Sequence, residues 1–89
     1  SKAGVIAFTR SIASEMAPHI RINAILPGAV ETPLFEGLVP DQAACEAVIS
    51  RHAMKRIGRP EEIANAILFM TSKQSSFMTG SPMLVDGGQ

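Results

Sequence analysis

Arg21-Ile22-Asn23-Ala24-Ile25-Leu26-Pro27-Gly28-Ala29-Val30-Glu31-Thr32-Pro33 is the stretch that decides the fold. Residues 20–26 are rich in β-branched side chains and bounded by Pro18 and Pro27-Gly28, which predicts a strand. Ile20, Ile22, Ala24 and Leu26 share one face, and Arg21, Asn23 and Ile25 the other. Both faces are apolar only toward the C-terminal end, so that end is expected to be the buried one. Upstream, over residues 3–17, Val5, Phe8, Ile12 and Met16 recur three and four apart, with Arg10, Ser14 and Glu15 opposite. This spacing predicts an amphipathic helix stopped by Pro18. A helix, a short turn, a strand and a Pro-Gly loop form the second half of a β-α-β unit.

Downstream, residues 27–40 are rich in proline, glycine and acids and read as a loop with one helical turn around residues 34–38. Asp41 can cap a helix through Ala43, Ala44, Ala47 and Val48, reaching toward Met54 and holding Cys45. Gly58 breaks the chain, and Pro60-Glu61-Glu62 starts another helix, because proline suits the first helical position and acids favour the positive end of the dipole. Ile63, Ala64, Ile67, Leu68 and Met70 supply its apolar face; after a Ser/Thr/Gly-rich run, Met83-Leu84-Val85 is a short strand closed by Asp86-Gly87-Gly88. Two strands joined by a helical crossover should run parallel. A parallel pair needs sheet neighbours and helices on both faces, so the chain reads as incomplete.

Composition excludes several functions. The 89 residues carry eight basic and eight acidic side chains, and this balance argues against a dedicated nucleic-acid or anionic-membrane binder. The single Cys45 cannot form an internal disulfide, and no Cys/His cluster has metal-site spacing, so no metal is expected. No apolar run is long enough for a membrane span, and a cytoplasmic setting is the expectation. The five Met residues read as core fillers, and His19 and His52 as surface or loop histidines. The basic run from Arg51 to Arg59 reads as a helix C-terminus facing Glu61 and Glu62. Asn23, an amide needing backbone partners, reads as structural. The 27–33 loop leaves a strand C-terminus with free backbone groups and a hydroxyl, the place where α/β folds keep their sites.

Taken together, Ser1-Lys2-Ala3-Gly4-Val5, the 21–33 stretch, Gly58-Arg59-Pro60-Glu61-Glu62-Ile63-Ala64, Thr79-Gly80 and Val85-Asp86-Gly87-Gly88 resemble, in order, landmarks of the short-chain dehydrogenase/reductase family. The resemblance covers the whole chain. It implies the C-terminal part of a doubly wound, parallel-sheet Rossmann-type α/β domain, with residues 33–54 covering the substrate. It also implies an NAD(P)-dependent oxidoreductase moving hydride between nicotinamide and a carbonyl or secondary alcohol.

Lys2 matches the Lys of that family's Tyr-x-x-x-Lys motif, whose Tyr would stand before Ser1. The resemblance assigns Lys2 to catalysis and to the nicotinamide ribose: an ammonium stabilises a neighbouring phenolate and offers three donors. It gives Pro27 and Gly28 the shaping of the strand exit, and gives the Val30 backbone and Thr32 hydroxyl the nicotinamide carboxamide. NAD and NADP are both open. So are acyl thioester, sugar, steroid and small cyclic alcohol substrates. A homo-oligomeric parent is implied through the last helix and strand. The other reading is a non-catalytic subdomain or interaction module. On the enzyme reading, the 89 residues alone are expected to be inactive.

Overall fold

The computed structural model describes residues 1–38 and 41–89, with only the backbone of Leu34, Glu36 and Leu38. Val39 and Pro40, inside the expected substrate-covering stretch, lie outside the described residues. Helix α1 spans Lys2–Met16, capped by Ser1, whose hydroxyl accepts from the Gly4 N–H at 3.2 Å. It ends where expected: Ala17, which precedes Pro18, is extended. Strand β1 (Ala24–Pro27) follows, then α2 (Pro33–Leu38), α3 (Gln42–Ser50), α4 (Pro60–Thr71), a 3₁₀ turn (Lys73–Ser75) and β2 (Pro82–Val85). Asp41 caps α3, its carboxylate accepting from Ala44 N–H at 2.7 Å. The helix stops at Ser50, short of Met54.

The two strands pair in parallel, Ala24 opposite Pro82 and Pro27 opposite Val85. Ala24 and Gly28 donate their N–H groups to Ser81 and Val85. Alternate N–H groups along a strand point to opposite edges, so with those of residues 24 and 28 facing β2, positions 25 and 27 face away from it. Pro27 therefore costs this pair no hydrogen bond, because its missing donor faces the other edge of β1.

The strand is shorter than the β-branched run suggested: residues 20–23 lie outside the ladder. Side chains hold them there instead. Ile22 donates its N–H to Thr79 Oγ1 at 3.1 Å, and Asn23 clamps the loop before β2, donating to Met78 O and accepting from Ser81 N–H, each at 3.0 Å. Arg21 is the larger anchor. Its guanidinium donates to the carbonyls of Ser75 (2.7 Å), Met78 (3.0 Å), Met70 (3.3 Å) and Ser72 (3.4 Å). One cation thereby adds a charged donor to carbonyls at the C-terminal end of α4, its 3₁₀ extension and the following turn, tying them to the chain before β1. Arg21→Met is expected to cost about 2–4 kcal/mol, with Arg21→Lys recovering less than half, because a point ammonium cannot fan across four acceptors. Urea denaturation of the full-length parent measures this, and a loss below about 0.5 kcal/mol would contradict it.

The expected helix faces are only partly covered within these residues. In α1 the buried residues are Thr9 and Ala13, while Val5, Phe8 and Met16 of the predicted stripe are exposed. Ala13 is covered by a close approach: Gly80, with φ +72, sits so near that an added Cβ would lie 3.4 Å from Ala13 Cβ. In α4, Met70 is buried, but Ile67 and Leu68 are exposed at 49% and 69%. Ala13, Leu26 and Met70 are the buried apolar residues among those described. No described helix is long and apolar enough to cross a membrane.

Candidate functional site

The loop leaving β1 is shaped first by Gly28. A Cβ there would fall 2.9 Å from Asp86 Cα and 3.0 Å from Asp86 O, so only glycine lets the chain pass the end of β2. The loop then meets Gly58 in an isolated parallel bridge at Val30. Gly58 donates its N–H to Ala29 O at 2.8 Å, and Glu31 donates its N–H to Gly58 O at 2.9 Å. These two bonds engage the groups flanking Val30 and leave its own. In a trans peptide the N–H points opposite to the preceding carbonyl, so both bonds aim the Val30 N–H and C=O away from Gly58. Neither has a partner among the described residues. One donor and one acceptor, held side by side, complement a primary amide.

Thr32 stands two residues on, and its hydroxyl accepts from Phe35 N–H at 3.2 Å, capping α2 with Pro33 at the first helical position. The oxygen is occupied as an acceptor, so its hydrogen remains to donate. Lys2 lies on a separate element, exposed at the first position of α1. Gly28, Val30 and Thr32 are thus brought into one loop following Pro27, and no described hydrogen bond joins Lys2 to it.

His52 lies in a turn, one of the two expected settings, but it is buried. It is 1% exposed rather than at the surface, its Nδ1 2.9 Å from Val48 O and its Nε2 accepting from Ala29 N–H at 3.4 Å. A turn folded under β1 buries it, which the surrounding basic residues gave no hint of. His19 is exposed, as expected. A cleft of about 410 Å³ lies beside His52, walled by Met54, Ile63, Leu84 and Gly88. It reaches the loop only at Ala29, leaving Val30 and Thr32 outside. No described cluster of His, Cys, Asp or Glu could hold a metal ion. The residues missed by sequence reasoning are His52 and Gly58: His52 carries no local signal of burial, and Gly58 reads from its neighbours as a helix breaker alone.

The basic run lies beyond the end of α3 at Ser50 rather than in its last turn, and two of its cations, Arg56 and Arg59, meet one carboxylate, Glu62. Arg56 forks onto Glu62 at 2.7 and 2.8 Å, and Glu62 also accepts from the Arg59 N–H at 2.9 Å, which secures the start of α4. The Arg56 hydrogen bond, then the Arg59 backbone donor, hold the Glu62 carboxyl down at about 2, and the same pairing raises Arg56. A depressed carboxylate stabilises the fold above the usual carboxylate range and loses that contribution as pH falls toward about 2, because only the unfolded chain binds the proton in between. The stability difference between the full-length parent and its Glu62→Gln variant is therefore expected to shrink between neutral pH and about pH 3. A constant difference across that range, by denaturant titration, would contradict the pairing.

Comparison with known proteins matches the chain to one group. The family described as enoyl-(acyl carrier protein) reductase matches residues 1–89. Among curated relatives, a 3-oxoacyl-[acyl-carrier-protein] reductase of Thermotoga maritima is 48% identical over 89 residues, covering 99% of this chain and 35% of its own length. A cis-4-hydroxycyclohexanecarboxylate dehydrogenase of Sinomonas cyclohexanicum is 46% identical, with 99% and 35% covered. Among solved structures, a 4-hydroxyisoleucine dehydrogenase mutant complexed with NADH and succinate superposes with a TM-score of 0.90 at 34% identity, over 99% of this chain and 37% of that one. The chain thus spans about a third of the length of the curated relatives it matches.

Proposed function

The chain belongs to the short-chain dehydrogenase/reductase family, and from that premise we propose that it forms the C-terminal part of an NAD(P)-dependent oxidoreductase acting on a carbonyl or secondary alcohol. The observation that carries the reading is the Val30 peptide pair, held from behind by Gly58 with its own N–H and C=O unengaged. That donor and acceptor suit the oxygen and NH₂ of a nicotinamide carboxamide, and the free Thr32 hydrogen suits the same oxygen. The residues present therefore fit the cofactor. When bound, the dinucleotide supplies or takes up the hydride.

The chain's own residues orient and tune. Val30 and Thr32 fix the rotation of the nicotinamide ring, which decides the face presented to substrate. Lys2 donates to ribose hydroxyls and stabilises the phenolate of a Tyr four positions before it, the general acid/base. Residues 33–54, with half-buried Phe35, Ala44, Cys45, Val48 and Ile49, cover the substrate. The near-equal identities to relatives that act on an acyl thioester and on a cyclic alcohol leave the substrate class to this segment. In the parent, the exposed Ile67, Leu68 and Leu84 support packing against a second copy.

Thr32 gives the test. In the full-length parent, Thr32→Ala is expected to raise the KM for NADH or NADPH about tenfold, with Thr32→Ser close to the parent, because the lost donor is worth roughly 1 kcal/mol or slightly more. Absorbance of the reduced nicotinamide against a panel of aliphatic, cyclic and acyl-thioester carbonyls measures it. A parent that binds neither dinucleotide would sink the reading.

A further inference from the structure

We propose that His52 is a positioning residue for the nicotinamide loop, its buried imidazole bridging the last turn of α3 to the Ala29 peptide next to Val30. The inference rests on the reading of that loop given above. His52 is 1% exposed, and each ring nitrogen faces one backbone group. Val48 O can only accept and Ala29 N–H can only donate, so the hydrogen sits on Nδ1 and Nε2 is bare. The ring thereby ties two otherwise separate elements: α3, within the substrate-covering segment, and the loop after β1. Its position is itself fixed, because His52 N–H donates to Ile49 O at 3.0 Å, while Met54 N–H, two residues on, donates to Gly87 O at 2.9 Å.

The consequence is geometric. Gly58 holds the Ala29 carbonyl and the Glu31 N–H, and His52 holds the Ala29 N–H on the preceding peptide. With three consecutive peptides pinned, the Val30 N–H and C=O have one direction. Without His52 the Gly28–Ala29 peptide is free to rotate, and the partly buried Ala29 N–H loses its acceptor. On its other side Gly28 is held by its own N–H, which donates to Val85 O at 3.1 Å.

Two variants of the full-length parent separate the roles of the ring. His52→Asn keeps a donor for Val48 O but has no acceptor long enough for Ala29, whereas the His52→Gln carbonyl reaches as Nε2 does. The probes are NADH or NADPH, followed by nicotinamide fluorescence, and ADP-ribose or its 2′-phosphate, which lacks the nicotinamide. His52→Asn is expected to weaken the reduced dinucleotide about tenfold, leave the ADP-ribose probe within about twofold, and speed amide exchange at Ala29. His52→Gln should recover most of the dinucleotide affinity. Equal weakening of both probes, or equal loss in both variants, would make His52 merely structural and overturn the proposal. If Thr32→Ala weakens dinucleotide binding selectively but His52→Asn does not, His52 fails while the loop reading stands. If neither does, the loop reading itself is wrong. Should His52→Asn not fold, absence of slowed exchange at Ala29 in the unsubstituted parent would overturn the bridge independently.

Discussion

Lys2→Ala in the full-length parent is expected to lower kcat by about 10²- to 10⁴-fold while leaving the fold intact. Lys2 is exposed at the first position of α1, whose first turn contains no acid. A cation there opposes the helix dipole at a cost of roughly 0.3–1 kcal/mol, so its removal cannot weaken α1 and should slightly stabilise it. A role outside the helix explains the residue better, and the tuning of a phenol is such a role. An adjacent ammonium favours phenolate over phenol; without it the phenol moves back toward its ordinary value of about 10. The basic shift of the kcat/KM profile against pH is thus the signature expected beside the loss of rate. Activity within a few-fold of the parent, with an unmoved profile, would remove Lys2 from the catalytic machinery.

The isolated 89 residues are expected neither to unfold cooperatively nor to turn over substrate. Among the described residues, Ala13, Leu26 and Met70 are the buried apolar side chains, and the sheet has two strands. Phe8, Leu68, Leu84 and Phe77 are exposed at 66%, 69%, 59% and 103%. Parallel sheets are stable when both faces are covered, and among the described residues no strand pairs with the second edge of β1 and Val5, Phe8 and Met16 of α1 are exposed. Calorimetry and circular dichroism should give a broad, probe-dependent transition, and the purified chain should not change nicotinamide absorbance in the presence of carbonyl substrates. A sharp transition coincident in both probes would contradict this and favour the reading as a self-standing interaction module.

Much of the fold was legible because its signals are local. Pro18, Asp41, Pro60-Glu61-Glu62 and the Asp86-Gly87-Gly88 run act within a turn of where they stand, and the helix limits they set agree with the structure to within a residue or two, except at the end of α3. The strand limits were less legible. Ile20 and Ile22 have the side chains of strand residues, yet Arg21, Ile22 and Asn23 are held by partners 49–58 positions away. The apolar faces of α1 and α4 are covered only in part, at Ala13 and Met70, because a period of 3.6 says that a helix has a face, not which neighbour reaches it.

The site divides in the same way. Residues 27–32 and Lys2 are proposed from sequence alone, since a Pro-Gly exit from a strand and the match of Ser1-Lys2 to the family landmarks are properties of contiguous residues. His52 is not: its composition neighbourhood is that of a basic surface turn, and its burial comes from a fold that brings residue 52 under residue 29. By itself, then, the sequence determined the order of elements, the parallel crossover and the loop that leaves the first strand, because each is fixed by backbone preferences acting over a few residues. Only the tertiary structure decided which apolar stripes are covered and which groups hold Val30 from behind. Those depend on the packing of distant segments, and no local propensity encodes that.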